Sequence, residues 1–333
     1  MSAGAAINVV GGGAWGTALA NAAAAAGHPV TLWLRDPEAA ARLQAGRENP
    51  RYLPGVPLHP GIRATAEPER LAGARATLVV VPAQTVRGVL EALRPPLASA
   101  GPVILCAKGI ERGSDSFLSA VAEQVLPPGT PVAVLSGPSF AADVARGLPT
   151  AVTLAAADAR LAASLSALLS GPNLRLYHTD DVRGVEIGGA GKNVLAIACG
   201  IVAGRGLGES ARAALIARAF AELMRFAKGF GGRPETLMGL SGLGDLVLTA
   251  SSPQSRNFAF GQRLGAGAGP DEAAGGKLAE GAFTAAALAG LAAAQGIEMP
   301  VAQAVAAIVA GTAGVDDVVA GLLARPLRGE IDE

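Results

Sequence analysis

Short apolar, β-branched runs alternate with longer helical stretches through the first half of the chain. The runs at 7–10, 30–34, 77–81, 103–106, 132–135 and 151–154 are mostly continuously apolar. That pattern belongs to parallel strands covered on both faces, and the segments between the runs are long enough for helical crossovers. After about residue 181 such runs stop, and Ala- and Leu-rich segments take over at 185–202, 210–230, 284–295, 301–310 and 315–323. The expected fold is therefore α/β: a doubly wound domain over 1–184, then an all-helical domain over 185–333. The Pro- and Gly-rich stretch 49–61 reads as a loop inside the first domain and not as a boundary.

Composition narrows the function classes. The chain has 333 residues, half of them apolar, enough for two cores. Lys plus Arg (27) equals Asp plus Glu (27), so no overall field draws it to nucleic acid or an anionic membrane, and any anion site must be local. The first 34 residues contain no Asp, Glu, Lys or Arg. They do not read as a signal peptide or anchor, because Ala makes up most of their apolar residues, the start is not basic, and the run is broken by three glycines from Gly11, by Asn21 and by Gly27. A cytoplasmic protein with no transmembrane segment is expected. Cys106 and Cys199 each sit in an apolar run as free thiols, which suits a reducing compartment, and His28, His59 and His178 have no metal-ligand spacing. No metal site is expected.

Residues 7–20 read Ile-Asn-Val-Val-Gly-Gly-Gly-Ala-Trp-Gly-Thr-Ala-Leu-Ala. Gly11, Gly13 and Gly16 have the spacing of a dinucleotide fingerprint, with a strand before them and a helix opening at Ala14 and Trp15. Gly11 permits the turn, Gly13 lets backbone approach a diphosphate, and Gly16 lets the helix lie close to the sheet. The first domain is thus expected to be Rossmann-type, with the diphosphate on the helix N-terminus.

Six further segments follow in order: Val80-Val81-Pro82, Ala107-Lys108-Gly109, Ser136-Gly137-Pro138-Ser139-Phe140-Ala141, Gly188-Gly189-Ala190-Gly191-Lys192-Asn193, Gly242-Leu243-Gly244-Asp245-Leu246 and Ser255-Arg256-Asn257. Together with the fingerprint they resemble bacterial NAD(P)-dependent glycerol-3-phosphate dehydrogenase over nearly the full chain. The resemblance implies interconversion of dihydroxyacetone phosphate and sn-glycerol 3-phosphate with NAD or NADP as cofactor, in the service of glycerophospholipid synthesis. It leaves the oligomeric state open, a homodimer included.

Lys192 matches the family's catalytic lysine. Ketone reduction needs a positioned proton donor, and Lys192 lies in an apolar segment where burial favours release of the proton. Read alone, it could equally be a lysine snorkelling from a helix. Asn193 would orient Lys192 or the substrate. Asp245 matches an acidic residue near that lysine, although an isolated carboxylate there could simply cap a helix. Lys108 follows a buried strand and would hold substrate oxygens and border the cofactor, or else be a solvated loop lysine. Ser255, Arg256 and Asn257 open a helix at 258–264 and form a candidate phosphate cradle, with Ser255 as a plain N-cap the alternative. By resemblance, Gly137 and Ser139 line the substrate pocket, and Ala141, Arg256, Leu278 and Glu280 lie on the cofactor side. Ala14 replaces a hydroxyl residue common in the fingerprint, deleting one diphosphate hydrogen bond. Arg35 ends the second strand, where a cation accommodates the 2′-phosphate of NADP, so NADPH is expected to be preferred; Asp36 before Pro37 reads as a helix N-cap.

Two other readings compete. A 3-hydroxy acid or sugar-acid dehydrogenase would share the glycine-rich turn and a lysine but not the cradle at Ser255. A hydrolase would use Ser139 as a nucleophile with His178, and leaves the fingerprint, Lys192 and Asp245 without a role.

Overall fold

A computed structural model describes residues 6–276 and 279–326. Among these residues ten strands form, all before residue 180: β1 (Ile7–Val10), β2 (Val30–Trp33), β3 (Glu48–Asn49), β4 (Leu53–Pro57), β5 (Ile62–Thr65), β6 (Ala76–Val79), β7 (Val103–Leu105), β8 (Val132–Ser136), β9 (Thr150–Ala156) and β10 (Leu174–Thr179). Eight of them make one sheet in the order β10-β9-β8-β7-β6-β1-β2-β5, while β3 and β4 pair separately. Neighbours in the large sheet are parallel except β8 and β9.

That one antiparallel pair departs from the parallel arrangement that the apolar runs suggest. Between β8 and β9 the only helix is Ala141–Ala145, five residues long, or about 7.5 Å of rise. It is too short to return the chain along seven-residue β9, which extends about 23 Å. The chain therefore runs back antiparallel, and β10 follows β9. The edge strands β5 and β10 were not expected either. β10 alternates buried and exposed positions over Leu174 to Tyr177, so a search for continuously apolar runs passes over it.

The central strands are apolar throughout because both faces of the sheet are covered. Val9, Leu78 and Ile104 enter one core, and their neighbours Val10, Val79 and Leu105 enter the other. From β1 the chain builds β2 and β5 on one side and β6 to β8 on the other. A reversal of this kind opens a ligand crevice at the carboxyl ends of the strands.

The chain divides into two compact units. The first runs to Ala190 and takes back Phe230–Asp245; the second comprises Gly191–Gly229 and the chain from Leu246 onward. A single cut after residue 184, as the sequence pattern suggests, does not describe this return. Within the first unit the returning segment is tied down by Asp181, which accepts from Arg233 N at 2.8 Å and caps Gly184 N at 2.8 Å. It also packs on Gly188, where an added Cβ would stand 2.8 Å from Ser241 O.

Among the described residues, the second unit is helical throughout, including Glu209–Gly229, Arg256–Gly265, Glu280–Ala294, Pro300–Val309 and Val315–Leu323. The Val182–Gly204 helix is long and apolar enough to cross a membrane by length and composition, but 89% of that apolar window is buried by the rest of the chain. Its glycines have a packing reason that offsets their cost of about 1 kcal/mol each against Ala in a helix. A Cβ on Gly200 would lie 2.1 Å from Phe258 O, and one on Gly261 would lie 2.1 Å from Ile197 O. The two helix backbones meet directly.

Glu222 supplies a pH dependence. Its buried carboxylate accepts from Val301 N at 3.1 Å at the start of the Pro300–Val309 helix. Burial, only partly opposed by the backbone donors and by nearby Arg225 and Arg325, pushes its pKa from 4.5 up to about 7. A folded-state pKa above the unfolded one means that the neutral form is favoured in the fold. Its contribution is full below about pH 4.5 and is lost as pH rises through about 7. Above that range ionised Glu222 costs about 3 kcal/mol. Glu222→Gln keeps an acceptor for Val301 N and should raise Tm at pH 8 while leaving it nearly unchanged at pH 5. An equal shift at both pH values in thermal melts would refute this assignment.

Candidate functional site

At the carboxyl end of β1 each fingerprint glycine has its own geometric reason. Gly11 has φ +116°, and a Cβ there would fall 2.4 Å from Val80 O; one on Gly16 would fall 1.9 Å from Gly11 O. The turn and the close approach of the helix therefore both require glycine. Gly13 differs, since nothing lies within 4 Å of its Cβ position. It faces open space, as a backbone that receives a ligand must. The Ala14–Ala25 helix has no acidic residue in its first turn, and its first intrahelical bond is Thr17 N to Gly13 O at 2.9 Å. The N–H groups of Ala14, Trp15 and Gly16 thus have no partner within the helix and, with the helix dipole, favour an anion.

Ala14 and Trp15 pack in one small apolar cluster with Ala141, built around Ala18, Leu53, Val56 and Val144. Two adjacent cofactor-side candidates and a third far away in sequence are thereby brought together. Arg35 is exposed just beyond β2. Asp36 is committed to the following helix, its side chain accepting from Glu38 N at 3.0 Å and Ala39 N at 3.3 Å with Pro37 opening the helix. Of the two adjacent charges, only Asp36 is taken up by the helix cap.

Lys108 emerges beyond β7 at the same sheet edge. Its Nζ donates to Asp245 Oδ2 at 2.6 Å and to Gly137 O at 2.9 Å. Asp245 is 2% exposed, so its burial needs the close partner that Lys108 provides. Lys108 is therefore not a solvated loop lysine. Gly137, with φ +148°, lies so close to β9 that a Cβ would stand 2.8 Å from Val152 Cα. The Ser139 hydroxyl donates to Gly137 O at 3.1 Å, while His178 is exposed on β10. No serine–histidine pair forms, which removes the geometry a hydrolase would need.

Lys192 is buried and does not snorkel. Its Nζ donates to Thr249 Oγ1 at 2.9 Å. Thr249 had escaped the sequence reading, although its position four residues after Asp245 could have marked it: both fall on one face of the Asp245–Ala250 helix, one turn apart. The start of the Val182–Gly204 helix is fixed by Glu186, whose carboxylate accepts from Ser119 N and Ser119 Oγ, each at 2.7 Å. Burial pushes the Glu186 pKa up, against the pull of those donors and of Arg183.

In the second unit Ser255 is the N-cap of the Arg256–Gly265 helix, its Oγ accepting from Phe258 N at 3.2 Å. Arg256, the first helical residue, is exposed. Asn257 is engaged at both ends of its amide: Nδ2 donates to Asn193 Oδ1 at 2.9 Å, and Oδ1 accepts from Gly281 N at 3.0 Å. Asn193 and Asn257 thus join the Lys192 helix to the Arg256–Gly265 helix and to the start of the Glu280–Ala294 helix, with Glu280 at its first position. Leu278 lies outside the described residues.

Comparison with known proteins covers both halves of the chain. Residues 6–162 match the family model for the N-terminus of NAD-dependent glycerol-3-phosphate dehydrogenase, and residues 181–320 match the model for its C-terminus. The chain is 90% identical over 332 residues to a glycerol-3-phosphate dehydrogenase, NAD(P)+, of Methylobacterium radiotolerans, covering 100% of each chain. It is 59% identical to the Azorhizobium caulinodans protein of the same description, covering 99% of this chain and 100% of that one. Among solved structures, the Coxiella burnetii glycerol-3-phosphate dehydrogenase superposes with a TM-score of 0.90 at 40% identity, over 97% of this chain and 99% of that one. A D-mandelate dehydrogenase, at 14% identity and a TM-score of 0.60, shares the fold alone.

Proposed function

Because this chain belongs to the NAD-dependent glycerol-3-phosphate dehydrogenase family, we propose that it interconverts dihydroxyacetone phosphate and sn-glycerol 3-phosphate, using NADH or NADPH. One observation carries the reading from family to chemistry: Lys108 and Asp245, 137 positions apart and each in a segment the resemblance ties to the reaction, meet at 2.6 Å. The sugar-acid and 3-hydroxy acid alternatives have no comparable support.

The residues present fit a dinucleotide. Open space at Gly13, uncommitted first-turn donors and the absence of a first-turn acid all suit a diphosphate. When bound, the reduced nicotinamide supplies hydride. The chain's own residues then manage the proton and the charge. Lys192, held by Thr249, donates a proton to the carbonyl oxygen in reduction and takes it back in oxidation. Lys108, paired with Asp245 and anchored on Gly137 O, presents its ammonium N–H groups toward the substrate oxygens. Arg256, with the amides at the start of its helix, binds the phosphate, a remote group whose binding energy helps align the carbonyl. Reduction supplies glycerol phosphate to phospholipid synthesis.

Arg35 sets the cofactor preference. Exposed at the end of β2, and with Asp36 occupied as a cap, it meets a 2′-phosphate, so NADPH is preferred over NADH. The test is a spectrophotometric assay that follows reduced-cofactor absorbance after addition of dihydroxyacetone phosphate, run with each cofactor on the wild type and on Arg35→Ala. Turnover is expected with both, with kcat/KM higher for NADPH, and Arg35→Ala should weaken NADPH about 10-fold or more while sparing NADH. No turnover would sink the function; equal losses for both cofactors would sink the role of Arg35. Balanced charge and two buried free thiols support a cytoplasmic setting. The proposal includes a homodimer, which sedimentation would read.

A further inference from the structure

The stretch 49–61 reads as an unremarkable loop in the sequence, yet its first residue reaches the fingerprint. Asn49 ends β3 and is 5% exposed. Its Nδ2 donates to Gly12 O at 2.9 Å and to Thr17 Oγ1 at 2.7 Å. The Thr17 hydroxyl, in turn, donates to Gly13 O at 2.9 Å. One buried amide thereby governs two consecutive carbonyls, the first directly and the second through a hydroxyl.

We propose that Asn49 is a positioning residue for the cofactor diphosphate, aiming the N–H groups of Gly13 and Ala14 through the carbonyls of Gly12 and Gly13. In a planar trans peptide the C=O and the following N–H point in opposite directions. Holding the Gly12 carbonyl toward the protein therefore turns the Gly13 N–H outward, and holding the Gly13 carbonyl does the same for Ala14 N–H. The need for an external hold is local. Gly12 and Gly13 have no side chains to restrict them, and open space lies beside Gly13. Residue 14 is alanine and adds no hydroxyl of its own, so the backbone donors carry more of the recognition.

The hairpin that delivers Asn49 is itself braced. Glu48 Oε1 accepts from Gly55 N at 2.7 Å, and Tyr52 N donates to Asn49 O at 3.2 Å. Leu53 and Val56 of β4 pack in the same apolar cluster as Ala14, Trp15 and Ala18. The amide thus comes from a fixed platform, and donors oriented before binding avoid the ordering cost that flexible glycines would otherwise add.

The inference rests on the fingerprint being the diphosphate site, and the experiment separates the two. Binding of ADP, adenosine and NADPH is titrated calorimetrically to the full chain, and amide signals of Gly13 and Ala14 are followed by NMR as ADP is added to wild type. Asn49→Leu keeps the size and removes the donors. It should weaken ADP and NADPH about 10-fold or more, as expected for losing buried hydrogen bonds, while adenosine changes less than about 2-fold. In turnover it should raise KM for NADPH with kcat nearly unchanged. Thr17→Val, which removes only the relay, should lose ADP affinity in the same direction, and Thr17→Ser should restore it. That pair keeps the test decisive if Asn49→Leu does not fold. Unchanged ADP affinity in the folded variants, or equal losses for adenosine and ADP, would overturn the role of Asn49. Amide signals unmoved by ADP in wild type would instead overturn the diphosphate site.

Discussion

Lys192→Ala is expected to lower kcat by about 10²-fold or more while leaving cofactor affinity close to that of the wild type. The size is that of removing a positioned proton donor. The selectivity follows from placement: Lys192 is buried in the Val182–Gly204 helix and bonded to Thr249, whereas the fingerprint glycines belong to the turn after β1. Truncation to Ala also leaves space, so Lys192→Met is the companion variant, retaining the aliphatic bulk without the ammonium. Both should lose kcat alike. Lys192→Arg should not rescue, because a guanidinium does not release its proton in the working range and does not fit a site shaped for an ammonium. Steady-state kinetics with a cofactor titration checks all three, and near-normal kcat in Lys192→Met would remove the proton-transfer role.

Arg256→Ala is expected to reduce kcat/KM for dihydroxyacetone phosphate by about 10- to 100-fold, the range for a lost charge-assisted hydrogen-bond pair. With unphosphorylated dihydroxyacetone the loss should be less than about 3-fold, because that substrate never used the contact. Arg256 is exposed at the first position of a helix that Ser255 caps, so its removal disturbs neither the cap nor the Asn257–Asn193 bond. That is why a substrate-dependent defect is expected and not a general one. Ser255→Ala serves as the contrast. It removes the cap and should cost about 1 kcal/mol of stability, together with whatever the hydroxyl contributes to phosphate binding. Equal losses for both substrates in Arg256→Ala would move Arg256 to the cofactor or to structure.

The fingerprint was legible because its pattern is local. A strand, three glycines at fixed spacing and a helix start fall within residues 7–20, and the reason for Gly16 is a steric contact with Gly11 in the same turn, whereas the contact that confines Gly11 is with Val80, far along the chain. Asp36 was legible as a cap for the same reason, since a side chain, its own helix start and Pro37 are consecutive. The first-half strands covered on both faces announced themselves as apolar runs, and long Ala-rich segments announced the helices of the second half. The order of six spaced segments also tied the chain to its family before any fold was known.

What the sequence by itself determined, then, were features whose cause lies within about one turn or one strand: the fingerprint spacing, the Asp36 cap, the central strands, the change from α/β to all-helical, and the residue types available for proton transfer and anion binding. Only the tertiary structure decided which of those groups meet. Lys108 with Asp245, Lys192 with Thr249, Asn193 with Asn257, Glu186 with Ser119 and Asn49 with the Gly12 carbonyl are pairs separated by 37 to 137 positions. No periodicity or propensity encodes such pairs, because each depends on where whole strands and helices settle. The antiparallel turn into β9 and the return of Phe230–Asp245 to the first unit belong to the same class. Both follow from the lengths of connections and from close backbone packing at glycines, which local pattern does not carry and the folded chain enforces.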